Sequence, residues 1–451
     1  MTNLFTHNLE PDPEAHVAAV RLFNYKAAAD VRLQLGKRLH VFVGDNGAGK
    51  TTILDGIAAG LAGIASWKIG SAASGAEWVS LDLEKIRRRN GEYAAQAAVV
   101  LRLGAGTHIE EEEVHGETLP VFVTAPFERP KLIEADAKRW FGGLWNHARR
   151  GAPVVLPVFA YYTADRAAVP EAPSKRWDKQ PERTAALRNA FWADASYDDL
   201  VSWFSTMERD ELYEMRRRND TSFRDPQLEA VRESVRRMVP GVRNLAFDPI
   251  SGHLQAEVES VCGTDRFALD ELSGGGRVML ALAADLARRM IQANPHVGLD
   301  SPAVVLIDEL DLHLHPRWQA TVIDDLMKTF PRAQFVITTH SEQIISAVPS
   351  ELVRAVRVGP EGIRTEPIGN FFGATYDRIL VHVMRREGGR NPAHLAILEK
   401  YWEYVNEGQG EGPDALELRR VLDEIFPPTE PELVRADVVI RRKRALGGDG
   451  R

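Results

Sequence analysis

The chain has 451 residues with 64 acidic against 56 basic side chains, and its net charge of −8 excludes a wholly basic nucleic-acid coat; any such contact is confined to a local patch. Hydrophobic residues make up 44%, charged residues 27% and aromatic residues 8%, enough for a sizeable core over two or three lobes and unlike a disordered or fibrous chain. The single Cys262 makes no intrachain disulfide and reads as a small buried hydrophobe; with no signal-peptide pattern and no apolar run of about 18 residues, a cytoplasmic protein without a membrane span is expected.

In chain order, alternation and apolar runs predict strands over Val17–Phe23 and Asp30–Leu35. A third strand, Leu39–Val43, runs straight into a Gly-rich turn, and an apolar helix follows over Thr52–Leu61. Gly70 to Glu113 is mixed, with one strand at Ala97–Leu103 and an acidic run, Glu110–Glu113, that reads as a solvated loop or strand edge. Pro153–Tyr162 is a buried strand by pattern. Helices are expected over Tyr197–Arg218 and Gln227–Met238, and the near balance of charge from Glu208 to Arg243 argues for a solvated helical lobe rather than a phosphate-gripping arm. Strands at Asn244–Phe247 and His253–Val258 come next. Beyond the Ser273–Gly276 turn follow a helix (Arg277–Ala293), a strand (Val304–Ile307), a helix (Pro316–Phe330) and a strand (Gln334–Thr338), the alternation of a parallel sheet covered on both faces. Arg354–Glu366 reads as a hairpin, and the rest is largely helical, ending in the basic stretch Arg441–Arg444.

Four segments carry chemistry. Gly44-Asp45-Asn46-Gly47-Ala48-Gly49-Lys50-Thr51 fits the phosphate-binding loop pattern between a strand and a helix. Its glycines let successive N–H groups, on to that of Thr52, face a phosphate; Lys50 adds a point charge and Thr51 a hydroxyl for Mg²⁺. The bland alternative is a Gly-rich turn with a chance lysine, and the flanking elements weigh against it. Val304-Val305-Leu306-Ile307-Asp308-Glu309 is an apolar strand ending in two carboxylates, which in a doubly wound sheet emerge beside the ligand. Asp308 then suits Mg²⁺ and Glu309 suits an attacking water. Leu272-Ser273-Gly274-Gly275-Gly276, before an apolar helix, is a second anion site in a chain that already has one, and so suits a partner's nucleotide. Phe335-Val336-Ile337-Thr338-Thr339-His340-Ser341 ends a strand on a single histidine able to hydrogen-bond a γ-phosphate.

These four elements, in this order, resemble the ABC-type ATPases. The LSGGQ signature is matched except that Gly276 replaces Gln, and His340 looks like the switch histidine of that superfamily. The interval from Thr51 to Ser273 is far too short for the arms of the large chromosome-organising members. After the acidic pair, Leu310-Asp311-Leu312-His313-Leu314-His315-Pro316 stands where transporter subunits carry Pro-Thr-Ser, and this form is similar to the RecF and OLD-like branch. His313 and His315 fall short of a metal set and fit a structural turn near a dimer contact better. Further likeness, in the segment opening with VRLFNYKAAADVRLQLGKRLHVFVGDNGAGKTTILDGIA, in Tyr161–Arg166 and in the C-terminal stretch from Ile397, is to bacterial ATPases described as predicted ATP-binding proteins involved in virulence, a group similar to the ATPase subunit of the Septu anti-phage system.

The resemblance implies an α/β P-loop NTPase head of the ABC type, a mixed sheet flanked by helices. Its lobes would be an N-terminal ATPase lobe (1–170), an inserted helical lobe (171–243), a C-terminal ATPase lobe (244–369) and a helical extension (370–451). It implies ATP and Mg²⁺ as cofactors and a homodimer with composite sites. Lys50, Thr51, Asp308, Glu309 and His340 of one head would work with Ser273, Gly274 and Gly275 of the other. The Septu likeness implies an HNH-type nuclease as partner, with nucleic acid met indirectly; a RecF-like repair ATPase and a slow ATP-sensing switch stay as alternatives. Neither an Asp-x-Asp downstream of His340 nor a Cys-x-x-Cys pair occurs, so no nuclease signature is expected in the chain itself. Gln96 lies too near its strand to serve as a lid glutamine. Tyr25 and Phe23 read as core or adenine-stacking residues, Arg166 as a phosphate, interface or plain salt-bridge arginine, and Arg441–Arg444 as solvated before any partner or nucleic-acid role.

Overall fold

The structure is a computed structural model and describes residues 16–66, 87–89, 92–93, 96–104, 118–124, 131–132, 143–164, 182–191, 193–260, 263–360, 362–374, 379, 383, 392–427 and 430–447. Cys262, Glu110–Glu113 and Arg166 lie outside them. The chain divides into two units, residues 1–379 and 380–451.

In the first unit, β1 (His16–Tyr25) and β2 (Ala28–Gln34) form an antiparallel hairpin, and β3 (Leu39–Val43), buried at all five positions, leaves it for another sheet. Helix α1 (Lys50–Ser66) follows directly. The short strands β4 (Arg88–Arg89) and β5 (Glu92–Tyr93) pair with each other. Strands β6 (Gln96–Gly104), β7 (Thr118–Thr124) and β8 (Lys131–Leu132) complete an antiparallel sheet in the order β2-β1-β6-β7-β8. Gln96 opens β6, so the strand starts one residue before the predicted Ala97–Leu103.

The second sheet is the α/β layer that the alternation predicted. Its order is β16-β15-β3-β14-β13-β9, built from β3 with β9 (Val158–Tyr162), β13 (Ala303–Ile307), β14 (Ala333–Thr339), β15 (Val353–Gly359) and β16 (Gly362–Pro367). The four pairings from β15 across to β9 are parallel, and only the β15–β16 hairpin is antiparallel, which makes the sheet mixed. β9, β13 and β14 are fully buried, as strands covered on both faces require. Only Val158–Tyr162 of the apolar run Pro153–Tyr162 pairs, because Leu156 instead exchanges backbone bonds with the Asn294 side chain at 2.8 and 2.9 Å.

α1 lies between the two sheets, against β1 and β6 on one side and β13 and β14 on the other. The approach is close enough that a Cβ on Gly56 or Gly60 would come within 2.4 Å of Leu22 or Leu101. Gln334 of β14 ties the layers together, accepting from the Val17 N–H (2.8 Å) and donating to the carbonyls of Val17 (2.9 Å) and Gly36 (2.7 Å).

Helices α2 (Ala193–Arg218) and α3 (Pro226–Met238) and the antiparallel sheet β10 (Val242–Asp248), β11 (His253–Ser260), β12 (Gly263–Ala268) form a lobe packed on α4 (Gly274–Ala293). β12 escapes a pattern reading because most of its residues are exposed. The charged balance here is only partly solvated. Arg232 is 6% exposed and bridges Glu211 (2.9 Å) and Glu208 (3.0 Å), and Glu208 also accepts the Phe247 N–H at 2.8 Å. Asp225 caps α3 by accepting from the Gln227 and Leu228 N–H groups.

The helix expected over Pro316–Phe330 is broken into α5 (Pro316–Gln319) and α6 (Val322–Thr329). Gln319 is held back by its own side chain, which donates to the Asp311 and Leu314 carbonyls, and Thr321 leaves helical φ at −113°. The short α7 (Glu342–Ala347) follows β14.

The second unit holds α8 (Pro392–Glu407), α9 (Pro413–Ile425) and α10 (Pro431–Gly447) around Leu398, Tyr401, Val405, Leu422 and Leu433, with Arg419 paired to Asp423 and Asp437. Among the described residues, no helix is long and apolar enough to cross a membrane.

Candidate nucleotide site

β3 delivers the chain to Gly44 at the carboxyl end of the parallel sheet, and the loop to Thr51 curls because three of its residues adopt conformations that glycine alone takes readily. Gly44, Gly47 and Gly49 have φ of 156°, 77° and 98°. The two outer glycines are also places where no side chain fits. A Cβ on Gly44 would lie 2.5 Å from the Val356 carbonyl oxygen, and one on Gly49 would lie 2.2 Å from Ile363 Cδ1. The β15–β16 hairpin therefore forms the floor of the loop, a role its sequence does not announce. Gly47, by contrast, meets nothing within 4 Å, and Asp45, Asn46 and Gly47 form an exposed lip closed by the Ala48 N–H to Asp45 carbonyl bond at 3.1 Å.

Lys50 points back into this loop. It is 5% exposed, and its ammonium donates to the Gly44 and Asp45 carbonyls at 3.0 and 3.1 Å. It also stands 2.7 Å from His340 Nε2; an ammonium can only donate, so that ring nitrogen accepts. Burial lowers the Lys50 pKa, and the carboxylates of Glu309, Asp308, Asp311 and Asp45 oppose the shift.

The ends of β13 and β14 meet the loop from the other side. Thr51 donates to Asp308 Oδ2 at 2.8 Å, and Thr338 donates to Asp308 Oδ1 at 2.5 Å. The Glu309 N–H donates to the Thr338 hydroxyl at 2.8 Å, holding Glu309 at a φ of 48° that few non-glycine residues adopt. Asp311, which the sequence reading did not single out, accepts from the Thr339 hydroxyl (2.5 Å) and the His340 N–H (3.1 Å), so it fixes the histidine's backbone to the loop after β13. Lys50, Thr51, Asp308, Glu309 and His340 thus come together from three strand ends, while Thr52 lies partly buried in the first turn of α1.

Ser273, Gly274 and Gly275 lie elsewhere. Ser273 caps α4, accepting the Gly276 N–H at 3.2 Å. A Cβ on Gly274 or Gly275 would meet His313, and one on Gly276 would meet Ser273, Leu272 and Trp318; none of these neighbours belongs to the Gly44–Thr51 loop. His313 is exposed at φ 66°, and His315 caps α5 through Nδ1. Among the described residues, no group of three or more His, Cys, Asp or Glu side chains stands together as a metal cage. Tyr25 is fully buried and Phe23 lies half-buried under Arg21.

Residues 168–346 match the family described as "AAA domain, putative AbiEii toxin, Type IV TA system", and residues 19–119 match a family described as "AAA domain". The retron Ec83 probable ATPase of Escherichia coli is 25% identical over an alignment spanning 95% of this chain and 87% of that protein. The Septu protein PtuA of Bacillus mycoides (strain KBAB4) is 42% identical over 73 residues, 16% of this chain and 10% of that protein. The solved Smc head bound to the C-winged helix domain of ScpA aligns at a TM-score of 0.48 and 17% identity, over 78% of this chain and 98% of that one. Two segments of the chain match AAA-domain families, and the chain is similar in sequence to the retron probable ATPase and, over a short stretch, to Septu PtuA.

Proposed function

We propose that the chain binds ATP with Mg²⁺ and hydrolyses it at composite sites between two copies. The observation that carries this reading is the Thr51 Oγ1 to Asp308 Oδ2 bond at 2.8 Å, which joins a hydroxyl and a carboxylate from two distant motifs beside a curled glycine loop. One carboxylate and one hydroxyl fit Mg²⁺, which keeps several waters and takes its remaining ligands from phosphates. When bound, the ion neutralises charge on the phosphate oxygens. The loop from Gly44 to Thr52 would hold the phosphates, with Lys50 as a desolvated point charge. Glu309 would orient water, and His340, now against Lys50, would donate to the γ-phosphate.

Pairing of two heads is supported by the neighbours of the Ser273–Gly276 turn, which are residues 313–314 and Trp318 rather than the phosphate loop of its own head. ATP favours the paired state and hydrolysis releases it. We read residues 1–170 and 244–369 as the two ATPase lobes, 171–243 as the helical insertion and 370–451 as the extension, of a cytoplasmic protein. Its cycle gates an HNH-type nuclease partner in anti-phage defence, a reading supported by the sequence relation to the retron ATPase and to Septu PtuA. With a net charge of −8, contact with nucleic acid falls to the partner.

Glu309→Gln tests the enzyme. It should keep ATP binding, slow phosphate release by about 100-fold and accumulate dimer on a sizing column with light scattering. Turnover equal to that of the unaltered protein sinks the mechanism and leaves the slow ATP-sensing switch.

A further inference from the structure

Tyr161 and Tyr162 close β9, and their hydroxyls reach the two helices that open on the nucleotide-site motifs. Adjacent residues of a strand face opposite sides of the sheet. On one side Tyr161 donates to Asp55 Oδ1 of α1 at 2.8 Å; Asp55 lies one helical turn beyond Thr51 and pairs with Lys26. On the other side Tyr162 donates to Asp285 Oδ2 of α4 at 2.9 Å. Asp285 is gripped by Arg288 (2.5 Å) and Arg289 (2.7 Å), and Arg289 continues to the carbonyls of Ala186 and Arg188, each at 2.8 Å. The Tyr162 carbonyl meanwhile accepts the Asp308 N–H at 2.8 Å.

Both tyrosines are nearly buried, and burial with the adjacent carboxylate raises each phenol far above its ordinary pKa, so both remain O–H donors. Asp285, Arg288 and Arg289 are at most 3% exposed. A buried ion cluster of this kind is poor at adding stability, because apolar side chains of the same volume do as well. It does fix geometry, and the geometry fixed here is that of α4 against β9.

We propose that Tyr161 and Tyr162 are positioning residues that link the occupancy of a head's own phosphate loop to the pose of the signature helix it presents to a second head. The link rests on the composite-site reading above. It runs in series from Thr51 through α1, Asp55 and Tyr161 into β9, and from Tyr162 through Asp285 into α4. Discrete, contiguous contacts are what such coupling requires. Because the steps are in series, cutting either hydroxyl breaks the same link.

The test uses the full-length protein with Tyr161→Phe, Tyr162→Phe and the double variant, each of which keeps the packed rings. ATP affinity is read with a fluorescent ATP analogue, and the Hill coefficient and turnover from phosphate release. Each single variant should hold ATP within about twofold of the unaltered protein, lower the Hill coefficient from about 2 to about 1, and cut turnover by about fivefold. The double variant should be no worse than either single one, whereas two merely structural losses would multiply. If Tyr162→Phe fails to fold, Asp55→Ala, at a side chain 21% exposed, cuts the link from the α1 end. Single variants with unaltered Hill coefficient and turnover, or a double variant whose losses multiply, overturn the link alone. An unaltered protein that turns over ATP without cooperativity, or not at all, overturns the composite-site reading and the link with it.

Discussion

Alanine at Gly274, Gly275 and Gly276 should produce three different outcomes from one chemical change. All three glycines lie in the first turn of α4 and none has a left-handed φ, so the backbone accepts a side chain at each. Replacing glycine by alanine in a helix ordinarily gains about 0.5–1 kcal/mol. At Gly274 the new Cβ meets His313 Cβ at 3.6 Å, an ordinary contact, so Gly274→Ala should stabilise by up to about 1 kcal/mol. At Gly276 it lies 3.1 Å from the Ser273 hydroxyl that caps the helix, and the gain is offset to roughly zero by the loosened cap. At Gly275 it lies 2.6 Å from the His313 carbonyl oxygen, which is backbone in a loop pinned by the Leu314 N–H to Asp311 bond and by Gln319. Overpacking against such an atom costs about 1–3 kcal/mol, leaving a net loss of up to about 2.5. In urea this lowers the midpoint by up to about 0.8 M, with the Ser273–Gly276 turn pushed off the 313–314 loop and turnover reduced. A Gly275→Ala variant as stable as Gly274→Ala would refute the packing of the Ser273–Gly276 turn described above.

Three further outcomes follow from individual groups at and around the site. His40 is 3% exposed, and burial, with Arg354 adding to it, holds its pKa down at about 4 against 6.5 for the free side chain. The unfolded chain therefore takes up a proton that the folded chain refuses, so stability is full above pH 6.5 and falls by on the order of 3 kcal/mol as pH drops towards 4. His40→Leu should flatten that part of the profile, and an unchanged slope in urea melts from pH 7 to 4.5 would count against it. Gln334→Leu removes three hydrogen bonds, two to Val17 of β1 and one to the Gly36 loop, and should cost about 3 kcal/mol in the same melts; a loss below about 1 would mean the layers hold without it. Thr51→Ala should weaken Mg²⁺-supported ATP binding by about 10–100-fold while leaving binding in EDTA nearly unchanged, and equal losses in both buffers would remove Thr51 from the metal's neighbourhood.

The parts of the site legible in the sequence are those in which local spacing and chemistry coincide. Gly44–Thr51 announces itself because a turn needing three unusual φ values can be written in few ways, and Asp308 and His340 because each stands at the end of a strand with an apolar centre. What stayed hidden depends on residues far apart in the chain. Val356 and Ile363, which floor the phosphate loop, look like any β-hairpin. Asp311 is one acidic residue among 64 until Thr339 and the His340 N–H are seen to converge on it. The break between Gln319 and Val322 arises from side-chain bonds to a loop, which periodicity does not report. Tyr161 and Tyr162 were visible as a buried strand and as part of a resemblance. Their opposite partners emerge only once α1 and α4 lie on the two faces of the sheet.

The left-handed backbone at Glu309 carries a consequence for any attempt to engineer the protein. A carboxylate residue held at φ 48° by a threonine hydroxyl is a poor choice on stability alone, and Gly or Asn there would relax the chain. A screen for heat-resistant variants would accordingly enrich replacements at position 309 early and report them as improvements. In the same step it would discard the carboxylate assigned to the attacking water, so thermal tolerance and turnover should be selected together from the first round.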